Sequence, residues 1–575
     1  MRERPAPKLA RRRSLLLVAL TSGFLLTLGR GAQLQVLEAE RWAQRAGEQQ
    51  RERLVVPAPR GTLYDRNGVP LAASREVYRV AVAPAEVGED RREAVAARLR
   101  GTLGLSQAQA RRAIDRRRRW VVVPGLYDAE ARSELDPLAG VYFERVWQRF
   151  HPRGELAIEL LGRVAADGLP LGGLELQLDT VLRGEPGEMV VRRDASGRPI
   201  PGATLEVRPP VPGRDVRLTI DASLQEIAHE ALRDAVRETG ASGGDLVLAD
   251  PLTGELLAAT SVRRSRRATW GAALEPYEPG STLKPFIVAA LLQEGRVRMR
   301  DSVFAEEGHY VLDGRPLNDV HPYGWLTVHE ALEKSSNVAL GKLSSKLERT
   351  EQYAYLRAFG LGTPTGVEYP AESSGLLRRP AEWTRFSQPS LAIGYEVSVT
   401  ALQMAMAYGA LANGGVLMEP RLVRDVRSRD GQVERYFEPR AVRRVVGEPV
   451  AQQVRSALAD VVTSGTAQQA ALGTFTVAGK TGTARRVIGG RYEQGAYTAS
   501  FAGYFPADDP QLVFLVKIDE PVGQYYGGQT AAPVMRATLT AALAAHGGPL
   551  DLRRLTDAPE ALPAVELATP LRGLP

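Results

Sequence analysis

The sequence predicts an α+β fold: an antiparallel sheet built from strands early and late in one domain, with helices between them. Three observations point there. Downstream of a proline cluster (Pro201, Pro209, Pro210, Pro212), strand patterns come first, helical patterns fill the middle, and strand patterns return near the end. The cluster itself marks a domain boundary near 200–213. Ahead of it all lies one apolar run, and no second stretch of about 18 apolar residues follows.

The N-terminus carries Arg2, Arg4, Lys8, Arg11, Arg12 and Arg13, then an apolar run from Leu15 to Leu28. Arg30 interrupts the run, and Leu34, Val36 and Leu37 extend it. Arginine near a helix end can snorkel to the interface, so one tilted membrane helix over 14–36 is expected, after a cytoplasmic basic tail, 1–13. A cleavable signal peptide is the rival, but no Ala-x-Ala site follows the run. Arg12–Arg13–Ser14–Leu15–Leu16 also loosely fits a twin-arginine export signal. The positive flank stays inside, so the rest of the chain is expected on the outer face of the inner membrane.

Residues 37–212 form the next expected domain. Its strand-like pieces are Tyr78–Ala83 and Trp120–Val123, and its helical stretches are Arg91–Arg100 and Ala108–Arg117. Arg60–Ala72 reads as strand, Asn-Gly turn and strand. In the third domain, 213–547, Asp215–Ile220 reads as a strand and Ala222–Val236 as an amphipathic helix. Gly244–Ala249 and Leu256–Ser261 pair around Pro251–Gly254. Helical patterns follow Gly280, and strands return at Phe501–Tyr504 and Leu512–Ile518. The tail, 548–575, is rich in proline and leucine and is expected to be peripheral.

Composition narrows the chemistry. The chain of 575 residues is 44% hydrophobic and 25% charged, an ordinary globular balance. With no cysteine there are no disulfides, thiol nucleophiles or cysteine-ligated metals. Six histidines make a histidine metal site a poor reading, so no metal and no cofactor are expected. The net charge of +7 is spread out, and Arg111–Arg119 reads as a solvated helix face. No nucleic-acid partner is expected. Serine, lysine and carboxylate chemistry remain.

Lysine is scarce: only 7 of the 74 basic residues are lysines. Arginine keeps its proton in proteins, whereas a buried lysine can lose it, so each lysine repays inspection. Gly280–Ser281–Thr282–Leu283–Lys284 opens an apolar helix, placing Ser281 and Lys284 on one face. A serine hydroxyl needs a base to become a nucleophile, and burial beside a second cation lowers a lysine pKa toward that task. Alone, this is also an ordinary helix start. Ser335–Ser336–Asn337 sits inside a helical pattern, Ala331–Leu343. Lys480–Thr481–Gly482–Thr483 follows a strand-like Thr476–Ala478. In this order, Ser-x-x-Lys, Ser-x-Asn and Lys-Thr-Gly form the signature of penicillin-recognising serine acyl-transferases.

With these motifs the chain resembles a class B penicillin-binding protein, a peptidoglycan D,D-transpeptidase. Further similarities extend over most of its length. Arg60–Gly61 with Asp65–Gly68, His151–Pro152, Gly173–Leu174–Glu175 and Leu182–Arg183–Gly184 are similar to the family's pedestal domain. Leu218–Asp221 with Leu224–Gln225, and Tyr277–Gly280, match its transpeptidase domain. The resemblance implies an α+β penicillin-binding serine transpeptidase domain, an antiparallel sheet with helices. Ahead of it stand an elongated α/β pedestal and one transmembrane helix. Nothing in residues 40–210 resembles a glycosyltransferase.

The resemblance also implies roles. Ser281 is acylated by the D-Ala-D-Ala stem peptide, Lys284 takes its proton, and Ser335 relays a proton to the leaving group. Asn337 binds the substrate amide, Lys480 holds the local field, and Thr481, Gly482 and Thr483 bind the substrate carboxylate. Implied partners are peptidoglycan stem peptides, β-lactam antibiotics, a membrane glycosyltransferase and other division proteins. Ala392–Gln403 and Tyr525–Gly528 resemble the division type more than the elongation type. The alternatives are an elongation-type enzyme, a hydrolytic β-lactamase or carboxypeptidase, and a non-catalytic β-lactam sensor or division scaffold.

Overall fold

The structure is a computed structural model that describes residues 7–193, 199–264, 269–312, 314–545 and 550–556. Most of the expected C-terminal tail and the first six residues of the basic tail lie outside the described residues. Two compact units emerge: residues 1–59 with 184–212, and residues 60–183 with 213–575.

In the first unit, helix α1 runs from Pro7 to Ala32 and continues through a π-helical turn, Gln33–Leu37. Its segment Arg11–Leu37 spans 27 residues and contains an 18-residue window with a mean hydropathy of 1.6. A bilayer core needs about 20 residues, so this helix is long and apolar enough to cross one. Its leucines from Leu15 to Leu28 are exposed to the surroundings. The unit also holds a three-stranded antiparallel sheet of Arg51–Val56, Gly187–Arg193 and Pro199–Arg208.

In the second unit the Asn-Gly segment forms its hairpin, Leu63–Tyr64 against Pro70–Val82. Asp65 Oδ1 accepts from the backbone N–H groups of Asn67 and Val69, closing the turn. The other oxygen accepts from Ala222 N at 3.1 Å, and Asn67 Nδ2 donates to Asp221 at 2.9 Å. Asp221 in turn caps helix α2, Ala222–Glu238, by accepting from Ser223 N and Leu224 N. The hairpin and the helix start therefore share one hydrogen-bond network across 154 positions of sequence. Nearby, the buried Glu175 receives Arg60 at 2.5 Å and Arg149 at 2.6 Å. A buried carboxylate is tolerable only when paired in this way. Gly61 packs so closely that a Cβ there would lie 1.8 Å from the Arg214 carbonyl oxygen.

The central sheet is five-stranded. Its strands are β1 (Gly243–Ala249), β2 (Leu256–Arg263), β3 (Ala478–Ile488), β4 (Arg491–Phe505) and β5 (Leu512–Asp519). They run in the order β2-β1-β5-β4-β3, antiparallel throughout. Sequence-late strands thus pair with sequence-early ones, through β5 beside β1. Every residue of β1 and β5 is buried, because helices cover both faces. That burial is why these strands read as continuous apolar runs instead of alternating ones.

Between β2 and β3 lie helix α3 (Lys284–Gln293), helix α4 (Asn337–Ser344) and helix α5 (Ala401–Ala412). After β5 comes helix α6 (Gly527–Ala544). Helix α3 is buried from Lys284 to Leu291 and packs Phe286 against Phe359 and Tyr408 at ring distances of 4.6 and 5.3 Å. All of α5 is buried; helices apolar on every side belong in such a core.

Candidate active site

Ser281 lies in a 3-10 turn, Gly280–Leu283, that leads into α3. Gly280 has φ +57°, the left-handed conformation that glycine adopts freely. Pro285 occupies the first turn of α3, where its missing N–H leaves nothing unsatisfied. The turn is anchored on both flanks. Thr282 Oγ1 donates to the Pro279 carbonyl at 2.8 Å, and the buried Tyr408 hydroxyl donates to the Thr282 carbonyl at 2.7 Å. Gly394 backs it: Gly280 N donates to Gly394 O at 3.1 Å, and a Cβ on Gly394 would sit 2.0 Å from Gly280 O.

Lys284 is fully buried. Its Nζ donates to the Ser335 carbonyl at 2.6 Å, to Ser335 Oγ at 3.2 Å and to Asn337 Oδ1 at 2.7 Å. Burial pulls its pKa down to about 7, with the charge of Asp319 acting the other way. Once the amine is neutral it carries a lone pair, and a serine hydroxyl can donate to it. The expected helix over Ala331–Leu343 is in fact broken. Val328–Glu333 ends first, Ser335 adopts φ +62°, and α4 begins at Asn337 with Ser336 as its N-cap. Strain of this kind in a non-glycine residue persists only where neighbours hold it. The break turns both Ser335 and Asn337 toward Lys284; in a continuous helix two residues at i and i+2 do not share a face.

β3 runs along the opposite side. A Cβ on Gly482 would approach the Pro279 carbonyl oxygen at 2.7 Å and Thr282 Cγ2 at 2.9 Å, so only glycine lets the strand lie against the serine turn. Lys480 is fully buried, and its pKa is pushed well down by burial and by the charge of Lys284. Thr481 Oγ1 pairs with Thr466 Oγ1 at 2.7 Å. Thr483 Oγ1 accepts from Gly527 N, at the start of α6, at 3.1 Å. The three motifs, 199 positions apart from first serine to last lysine, thus converge on one place. A cleft of about 470 Å³, lined by Tyr277, Glu278, Glu396, Arg485 and Tyr492 among others, has none of the motif residues in its lining.

Several participants lacked a local sequence signal. Asp319 accepts from Ser336 Oγ, Asn337 N and Val338 N, yet in sequence it is one acidic residue in a polar loop. Thr466 and Tyr408 are equally plain. Gly394 stood out only as part of a family pattern; its structural reason is the 2.0 Å approach to Gly280 O. Oxygens of Asp245, Glu275 and Asp519 also cluster within 4.8 Å. Lys517 and Arg263 already pair with them at 2.7–3.0 Å, so the cations there belong to the protein itself.

Comparison with known proteins gives a consistent result. The model of the penicillin binding protein transpeptidase domain matches residues 244–540, and that of the penicillin-binding protein dimerisation domain matches 55–218. The chain is 30% identical over 555 residues to a probable peptidoglycan D,D-transpeptidase, PenA, of Neisseria meningitidis, covering 92% of each. It is 31% identical to the peptidoglycan D,D-transpeptidase FtsI of Escherichia coli, over 89% of this chain and 88% of that one. Among solved structures, penicillin binding protein 3 of Mycobacterium tuberculosis, complexed with aztreonam, superposes with a TM-score of 0.68 at 27% identity, over 90% of this chain and all of that chain.

Proposed function

The chain belongs to the penicillin-binding protein transpeptidase family, and from that premise we propose that it is a class B peptidoglycan D,D-transpeptidase working through a serine acyl-enzyme. The observation that carries the mechanism is the buried Lys284 amine, one turn beyond Ser281, held by Ser335 and Asn337 and able to lose its proton near neutral pH. In this reading Ser281 Oγ attacks the carbonyl carbon of the penultimate D-alanine, and Lys284 accepts the hydroxyl proton. Backbone N–H groups of Ser281 and Thr483 receive the developing oxyanion. The peptide C–N bond then breaks, a proton passes through Ser335 to the departing D-alanine amine, and an ester remains on Ser281. An amine of a neighbouring stem peptide attacks that ester, forms the cross-link and returns the proton to Ser281. Asn337 orients the substrate amide, and Thr481, Gly482 and Thr483 hold the terminal carboxylate beside the buried Lys480.

A β-lactam offers a strained ring carbonyl in place of the peptide carbonyl and is captured as a stable acyl-enzyme. The test is intact mass and fluorescent-penicillin labelling of wild type beside Ser281→Ala. The wild type gains one acyl adduct and the variant none; labelling that survives in the variant overturns the assignment. The division type is favoured over the elongation type by the Ala392–Gln403 pattern. With α1 as a single anchor and its basic flank inside, the catalytic domain faces outward from the inner membrane. There it receives glycan strands from a separate membrane glycosyltransferase.

A further inference from the structure

We propose that Asp319 is a positioning residue of this site, fixing the Ser335–Asn337 turn and, through that turn, the amine of Lys284. The proposal rests on the acyl-transfer reading above. Asp319 follows the hairpin His309–Leu312/Arg315–Asn318 and belongs to none of the three motifs. Its half-buried carboxylate takes Ser336 Oγ at 2.6 Å, Val338 N at 3.0 Å and Asn337 N, all from the first turn of α4. One carboxylate thus satisfies two of the open N–H groups of the helix start, those of Asn337 and Val338, and complements its dipole. The adjacent Asn318 carbonyl accepts from Asn337 Nδ2 at 2.7 Å. That bond fixes the amide so that Oδ1, and not the NH2 group, meets Lys284. Ser335 is held in its left-handed conformation from two sides: Lys284 grips its carbonyl, and Asp319 grips the residue after it.

The same carboxylate is the negative charge acting on Lys284, opposing the effect of burial. Lys480 on β3 is the other ionisable side chain here, and there it is the charge of Lys284 that, with burial, lowers the Lys480 pKa. Ionisable groups on the helices packed against α3 are engaged elsewhere. His329 bonds Asp460, Glu333 accepts from Ser464, Glu351 pairs with Arg296, and Lys334 lies over the Tyr323 ring. Asp319 therefore acts on the base against burial, and keeps its proton affinity from falling further.

Asp319→Asn separates the two effects. Its side-chain oxygen can still accept from Asn337 N and Val338 N, and its NH2 group can donate to the Ser336 hydroxyl, but the charge is gone. Lysine labelled with 13C at the ε carbon gives only seven signals, and Lys284→Arg identifies the one from Lys284. In Asp319→Asn the titration midpoint of that signal is expected to drop by about half a pH unit or more. The acid limb of penicillin acylation should move down with it, while the melting temperature stays near that of the wild type. An unmoved midpoint in a folded variant overturns the proposal. Ser336→Ala keeps the charge but loosens the turn, and is read whether or not Asp319→Asn folds. Acylation should slow about tenfold with the midpoint unchanged; an unslowed rate likewise overturns it. The lysine titration needs no substrate, so it stands apart from the reaction. A wild type that titrates as described but is never acylated would sink the acyl-transfer reading and leave the charge relation intact.

Discussion

At the scale of single residues, the proposed acyl transfer depends on a lysine whose hold on its proton burial has loosened. In the folded chain its pKa falls from 10.5 to about 7, so below pH 7 Lys284 is protonated and cannot accept from Ser281. Acylation by penicillin should therefore fall about tenfold per pH unit below a midpoint near 7, and level off above it. Second-order acylation rates between pH 5 and 9 check this; a flat profile would place the base elsewhere. Lys284→Arg keeps a positive charge of similar reach but cannot release its proton, so acylation should slow by about 10² or more. Lys480→Arg should be milder if, as proposed, the duty of Lys480 is electrostatic. Equal losses in the two variants would reverse that division of labour.

Elements decide whether those residues meet. The serine turn is clamped between β3, through Gly482, and the segment around Gly394, with the α5 tyrosine Tyr408 beneath it. Gly394 has φ +86° and no room for a side chain. Gly394→Ala should cost at least about 3 kcal/mol and abolish penicillin labelling of any folded fraction, because the displaced group is the turn that carries Ser281. A useful contrast is Thr400→Ala. Thr400 and Gln403 form the capping box of α5, and its loss should cost about 1–2 kcal/mol while labelling persists. Thermal melts with parallel labelling measure both; if the two variants behave alike, the clamp has no special claim on the nucleophile.

The whole molecule is a catalytic unit on a chain that begins with one membrane-length helix. If α1 is retained as an anchor, N-terminal sequencing of membrane-extracted protein should find residues 1–30 in place; a mature chain starting near residue 33 would indicate a cleaved signal. If the enzyme is the division type, depleting it should give filaments, and a tagged copy should collect at midcell. Rounded cells with label along the side wall would assign it to elongation and leave the chemistry untouched. Residues 60–183 belong to the same compact unit as the transpeptidase sheet, tied in through Asp65, Asn67 and Asp221. Nothing local in the Arg60–Ala72 hairpin announces this, because its partners lie some 150 positions away.

By itself the sequence determined the α+β order of strands and helices, the membrane-length apolar run near the N-terminus and the three acyl-transfer motifs. Those features are local: hydrophobic period, turn residues and motif spacing are written within a few residues of one another. The expected strand at Leu512–Ile518 and the helix from Ala222 lie within a few residues of the observed elements for that reason. What only the tertiary structure decided is how distant pieces bear on one another. The helical pattern through Ser335 was real, but contacts to Lys284 and Asp319 from outside the segment outweigh local propensity and break it. Asp319 itself could not be read as part of the site. A carboxylate's role depends on which donors face it and how much water is excluded, and both are fixed only when the chain has folded around it.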